Sequence, residues 1–218
     1  MTTTLDAVRP LVDLTLSRLA ARNFREDPLL GPIISKRTSL ASSAQRRHGH
    51  IIEAALCHRL SQLPDLTVWK DPKFAVSSVA DNMVSAETDM AKFIGSGIAY
   101  GQSARTVQID AIVYNKKTKS IRAYEIKRGN DHHDAGKNRS IIRDLACVQV
   151  LLQSYGEARG LKIKSAMSHI VFYYGQGSIP RPFSLKGNEL DAHFGHSVVA
   201  EVEAVNDYLR KKLVKLLT

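Results

Sequence analysis

The sequence predicts an α/β domain, with a central mixed sheet flanked by helices. Three observations predict it. Apolar residues recur at helical spacing in the first, middle and last parts of the chain. Four short β-prone runs lie between them. Through the middle the order is helix, strand, strand, strand, helix, strand, which suits a sheet layered with helices rather than a bundle or a sandwich. The 218 residues suffice for one sizeable domain, and a chain 44% apolar and 24% charged is not wholesale disordered.

From Thr4 to about Asn23, Leu5, Val8, Leu11, Val12, Leu16 and Leu19 mark an N-terminal helix that Pro10 either begins or bends. DPLLGP (27–32) breaks the chain, and SKRTSLASSA (35–44) reads as a Ser-rich loop. A helix over 44–63 carries Ile51, Ile52, Ala55, Leu56 and Leu60 on its apolar side. LTVWK (66–70) is a short strand. Residues 71–106 contain a helix near 78–94 and then GSGIAYGQS, a mobile connection or a ligand-contacting insertion; without GK[ST] or a following helix it is no phosphate-cradling loop. The hairpin is the clearest feature: VQIDAIVY (107–114) and SIRAYEIK (120–127) flank NKKTK. Ile141, Ile142, Leu145, Val148, Leu151 and Leu152 predict a helix over 140–155, followed by the strand MSHIVFYY (167–174). An amphipathic helix over 198–217 ends in Lys211, Lys212 and Lys215, where cations favour the helix dipole. The expected domain is therefore single, with a core at about 44–174, a helical extension over 1–43 and a terminal helix.

The charge narrows the partner. With 31 Lys and Arg against 21 Asp and Glu, the net charge of +10 favours a polyanion such as nucleic acid, or an anionic membrane surface. Cys57 and Cys147 form no CxxC pair and read as reduced thiols of a cytoplasmic protein. Asp6, Arg9 and Asp13 interrupt any secretory apolar segment, and no run approaches the ~20 residues of a spanning helix. A membrane role is not expected.

The hairpin is where chemistry gathers. If Asn115 pairs with Ser120, antiparallel register sets Asp110 opposite Glu125 and Gln108 opposite Lys127, and alternation puts Asp110, Glu125 and Lys127 on one face. Opposed residues have Cβ atoms ~4.5–5.5 Å apart, so two carboxylates there repel. A divalent cation between them removes the repulsion. Two carboxylates with room for water and phosphate are what Mg²⁺ takes.

IDAIVYNKKTKSIRAYEIK resembles the PD-(D/E)XK nuclease superfamily, the restriction-endonuclease-like fold, over about residues 44–174. Its D…ExK signature falls on Asp110, Glu125 and Lys127, with Ile109 where the motif name has proline. Gln149, Gln153 and Tyr155 do not match the QxxxY of the RecB-like branch. The resemblance implies a core of helix, three strands, helix and strand. It also implies Mg²⁺, replaceable by Mn²⁺, on Asp110, Glu125 and the Ile126 carbonyl, with Lys127 orienting water or stabilising developing charge. Glu53, in HGHIIEAAL of the first core helix, either joins the metal site or is a solvent-facing helix glutamate.

Other residues carry less. His132 and His133 with Asp131 and Asp134 read as a polar loop over the substrate, and His48 and His50 as solvated side chains. No GxSxG supports serine catalysis. Between Lys116 and Arg143 stand nine basic and three acidic residues; Arg128, Lys137 and Arg139, with Arg46 and Arg47, are expected to track a nucleic-acid backbone. The expected activity is Mg²⁺-dependent cleavage of double-stranded DNA by a type II restriction endonuclease, a homodimer with a cognate methyltransferase in its system. The alternatives are a repair or junction-resolving nuclease that reads DNA shape, a catalytically silent nucleic-acid-binding module of the same fold, and RNA as substrate.

Overall fold

The computed structural model describes residues 2–87, 89–129, 135–175, 179 and 181–218, without the side chains of 135 and 137. The chain divides into two compact units, Met1–Arg59 with Asp191–Thr218, and Leu60–Leu190.

In the first unit, α1 (Thr4–Ala20) is capped by Thr3, whose Oγ1 accepts the Asp6 N–H at 3.1 Å, and it runs on through Pro10. It buries Val8, Val12, Leu16 and Leu19. Helix α2 (Gly31–Ser61) is longer than the sequence suggests, because 35–44 is helix and not loop. Serine costs a helix only about 0.5 kcal/mol relative to alanine, and this stretch contains neither Gly nor Pro. Leu40 and Ala44 are buried, which outweighs that cost. α6 (Val199–Leu217) starts where Asp191 Oδ1 accepts the N–H groups of Val198 and Val199 at 2.7 and 2.8 Å. It packs on α1. Tyr208 donates to Asp13 at 2.9 Å, and Lys212 lies 3.2 Å from the same carboxylate, which holds Asp13 below the usual carboxylate range.

The second unit is built on a five-stranded mixed sheet in the order β1 (Leu66–Val76), β2 (Arg105–Asn115), β3 (Ser120–Lys127), β4 (Ser165–Phe172) and β5 (Ser184–Lys186). The first three strands are antiparallel, while β4 and β5 run parallel to β3. The hairpin has the expected register, Asn115 facing Ser120, and Asn115 Oδ1 closes the turn by accepting from Lys117 and Thr118 N–H at 2.9 Å. Lys119, at φ 60°, completes it.

α4 (Ala135–Ala158) makes the crossover from β3 to β4 that parallel strands require. Its Leu145, Val148, Leu151 and Leu152 join Ile112, Ile121 and Ile170 in the core. Buried Gln149 fastens it to β4, accepting the Ser168 N–H at 2.8 Å and donating to Ala166 O at 3.2 Å. Between β1 and β2, among the described residues, only α3 (Ser78–Ser85) and a short 3₁₀ turn (Met90–Phe93) are helical. The following glycine segment is pinned at its centre: Ile98 N–H bonds Val150 O at 2.8 Å, and Tyr100 packs on Phe74 and Tyr155 at about 5 Å between ring centres. α5 (Leu190–Phe194) and β5 are short elements that no periodicity announces. Among the described residues no helix is long and apolar enough to cross a membrane.

Candidate active site

The site lies where β2 parts from β3. Pairing between them runs from Asn115/Ser120 to Ala111/Tyr124 and stops one pair short of the expected Asp110/Glu125. β1 explains the stop. Pro72 has no N–H for the ladder, and β1–β2 pairing steps out of register on both sides of Asp71. Between the pairs Trp69/Ile112 and Asp71/Ile109, Asp110 and Ala111 together oppose Lys70 alone, a β-bulge in β2. Alternation is broken there. Ile109 and Ile112, three positions apart, both reach the core under α4, and fully buried Ala111 does not. Asp110 therefore does not share the face of Ile112 and Tyr114 on which simple alternation sets it.

The parting leaves a main-chain donor on β3, and Asp110 takes it. Lys127 O faces β4, where it accepts the Tyr173 N–H at 2.9 Å. Successive residues of a strand turn their polar groups to opposite edges, so Ile126 turns its N–H and C=O toward β2. The Ile126 N–H meets Asp110 Oδ2 at 2.8 Å, and Gln108 Nε2 approaches Asp110 Oδ1 at 3.4 Å. Asp110 is only 7% exposed, so both bonds hold a carboxylate largely removed from water. On either side of Ile126, Glu125 and Lys127 are paired with each other and partly exposed. Asp110 thus meets the main chain of β3 at Ile126, between the paired Glu125 and Lys127, and the expected shared face of Asp110 and Glu125 is lost at the bulge.

Gly129 fixes the strand just beyond Lys127. It sits at φ +95°, and a Cβ there would lie 1.4 Å from Tyr174 O, so only glycine fits. Arg128 lies over the Tyr174 ring, 6.0 Å from its centre.

Glu53 belongs to the other unit, on α2, buried and with His50 Nδ1 3.4 Å from its Oε2. Arg46 and Arg47 are exposed on the same helix. Arg139 is exposed on α4, and Lys137 belongs to the same helix; the Lys137 side chain lies outside the described residues, as do Asp131, His132, His133 and Asp134. His48 is not simply solvated, since its Nε2 lies 2.9 Å from Asn206 Oδ1. Among the described residues no three His, Cys, Asp or Glu side chains are grouped to hold a metal ion.

Sequence reasoning missed two features. One is the approach of Gln108 to Asp110, because the expected register set Gln108 opposite Lys127 instead. The other is a charge cluster at the foot of β2. Arg105 grips Asp81 with Nε 2.9 Å from Oδ2 and Nη2 2.9 Å from Oδ1, and reaches Asp144 at 2.7 Å. The Arg105 hydrogen bond is the main reason the Asp81 carboxyl lies below its usual range, and Asp81 in turn raises the Arg105 guanidinium. Cys147, 3.4 Å from Asp81, has its thiol pushed up to about 12, chiefly by burial.

No protein-family model, curated protein or solved structure matches the chain. The class that fold and site define is a mixed α/β sheet with acidic and basic groups at a strand fork.

Proposed function

We propose that the chain is a metal-dependent endonuclease that hydrolyses DNA phosphodiester bonds. The observation that carries this reading is the meeting of Asp110 with the Glu125–Ile126–Lys127 segment where β2 leaves β3. A stability-driven sheet would continue its ladder there and place no acids at the parting. The order of elements around the sheet supports a restriction-endonuclease-like core, and the net charge of +10 supports a polyanionic substrate.

The donor set fits Mg²⁺. Two carboxylates and the Ile126 carbonyl offer oxygen only, and Mg²⁺ keeps several waters rather than filling an all-protein cage. Asp110, Glu125 and Ile126 would hold it. When bound, Mg²⁺ or Mn²⁺ supplies positive charge that polarises a phosphate and eases water deprotonation. Lys127 holds Glu125 and places an ammonium beside the reacting phosphate, where it stabilises developing negative charge. Gln108 and the Ile126 N–H orient Asp110.

Within this reading, double-stranded DNA cut at a specific sequence by a homodimeric type II restriction enzyme, with a methyltransferase protecting the host, is the form favoured. A second reading, a silent nucleic-acid-binding module, draws on the Glu125–Lys127 pair, which neutralises the acid that a metal needs. Incubation with plasmid DNA and Mg²⁺, then sequencing of the ends, separates them. Discrete fragments with common ends support the restriction enzyme, and a smear supports a nuclease without sequence preference. Binding without cutting overturns the nuclease reading.

A further inference from the structure

The parting of β2 from β3 also opens a cavity of 280 Å³, roofed by α4 and reaching Glu125. Its walls are apolar, with Ile109 and Ala123 from the sheet and Leu145 and Val148 from α4. Half-buried Glu125 on β3 and Asp144 on α4 stand at its polar rim, and Thr106 and Gln108 of β2 complete the lining. Small-molecule pockets run from roughly 300 to 1,000 Å³, so this cavity suits one ring system rather than a whole nucleotide.

We propose that this cavity receives a single unstacked nucleobase of the nucleic-acid strand, and that it prefers bases bearing an exocyclic amine. The proposal rests on the nuclease reading, which brings a sugar–phosphate backbone to Glu125. An apolar-walled cavity beside the backbone path is what an extruded base requires, because the lost stacking must be replaced by apolar contact. The rim chemistry sets the preference. Ionised carboxylates only accept hydrogen bonds, and Asp144, held by Arg105 at 2.7 Å, is fixed in place as such an acceptor. Adenine, cytosine and guanine present amino donors to it. The pairing edge of thymine presents two carbonyl acceptors around one N–H, which carboxylates repel.

Saturation-transfer NMR with Ca²⁺ present tests the proposal, using dAMP, dCMP, dGMP, dTMP and base-free 2-deoxyribose 5-phosphate as probes. The three amine-bearing nucleotides are expected to bind at least ~10-fold more tightly than dTMP and the base-free sugar phosphate, the discrimination that one base-edge contact provides. Val148→Phe, which fills the cavity, and Ile141→Trp, at a half-buried position of its α4 wall, should each remove that preference. Equal binding of all five probes, or full preference retained in Ile141→Trp, overturns the proposal, as does no binding of any nucleotide. The two readings fail separately. Base-selective binding by a protein that never cuts DNA leaves the cavity and removes the nuclease. Cutting without base-selective binding does the reverse.

Discussion

Asp110 Oδ2 accepts the Ile126 N–H at 2.8 Å, a bond that a β2 carbonyl would otherwise make. One side chain thus does two things: it ends the β2–β3 ladder without orphaning a main-chain donor, and it delivers a carboxylate to the residue between Glu125 and Lys127.

Two substitutions at Asp110 should therefore behave differently. Asp110→Asn keeps an oxygen for the Ile126 N–H and should change stability little. Asp110→Ala leaves a buried donor unpaired and should cost about 1–3 kcal/mol. Urea unfolding of both variants checks this, and equal midpoints would mean the bond carries no structural weight. Both should lose cleavage, since both remove a negative charge from the oxygen set.

Metal removal should act on turnover rather than on folding. EDTA is expected to abolish cleavage while leaving the far-ultraviolet circular dichroism unchanged, and added Mg²⁺ or Mn²⁺ should restore cutting. Ca²⁺, with longer and looser coordination, should sustain DNA binding in a mobility-shift assay with little cutting. Full activity in excess EDTA would remove the metal from the account.

The Arg105–Asp81 pair predicts an acid-sensitive part of stability. The Asp81 carboxyl is held below its ordinary 3.8, first by the Arg105 hydrogen bond. A lowered carboxylate stabilises the fold fully above the unfolded value and loses that contribution as pH falls through the folded one. Wild type should thus exceed Asp81→Asn in stability by a constant margin above about pH 5, and the margin should shrink below 3.8. Thermal melts at pH 7, 5 and 3 measure it. A margin that grows toward acid would contradict the pairing.

Much of this was legible in the sequence, and the rest fails for physical reasons. Alternation on both sides of NKKTK gave the hairpin register, because a polar turn and two half-apolar strands leave one good pairing. The bulge at Asp110–Ala111 was not legible, because it depends on how β1 pairs around Pro72, a non-local event. Residues 35–44 looked like a loop by composition alone, and their helix is decided by the burial of Leu40 and Ala44. Asp110, Glu125 and Lys127 were legible as candidates by type and spacing, but the face they were expected to share is broken at Asp110. The exchange of a ladder bond for a carboxylate was not legible.

Thiol reactivity should separate the two cysteines. Burial pushes the Cys147 thiol up to about 12, so at pH 8 it stays protonated as well as covered. Cys57 is only half-buried. Iodoacetamide on the native protein at pH 8, followed by peptide mass mapping, should leave Cys147 unmodified until denaturant is added. Native labelling of Cys147 faster than Cys57 would contradict the packing of α4 on the Asp81 cluster.

The most direct measurement is the single-turnover cleavage rate of Lys127→Ala in saturating Mg²⁺, with DNA affinity in Ca²⁺ measured in parallel. Lys127 is paired with Glu125 and partly exposed, so its removal leaves both carboxylates and should leave the fold intact. The account predicts DNA affinity close to wild type and a cleavage rate at least ~100-fold lower, the usual loss when one electrostatic or proton-handling group is removed. A Lys127→Ala protein that cuts at near wild-type rate would contradict it, leaving Glu125–Lys127 as an ion pair on a strand.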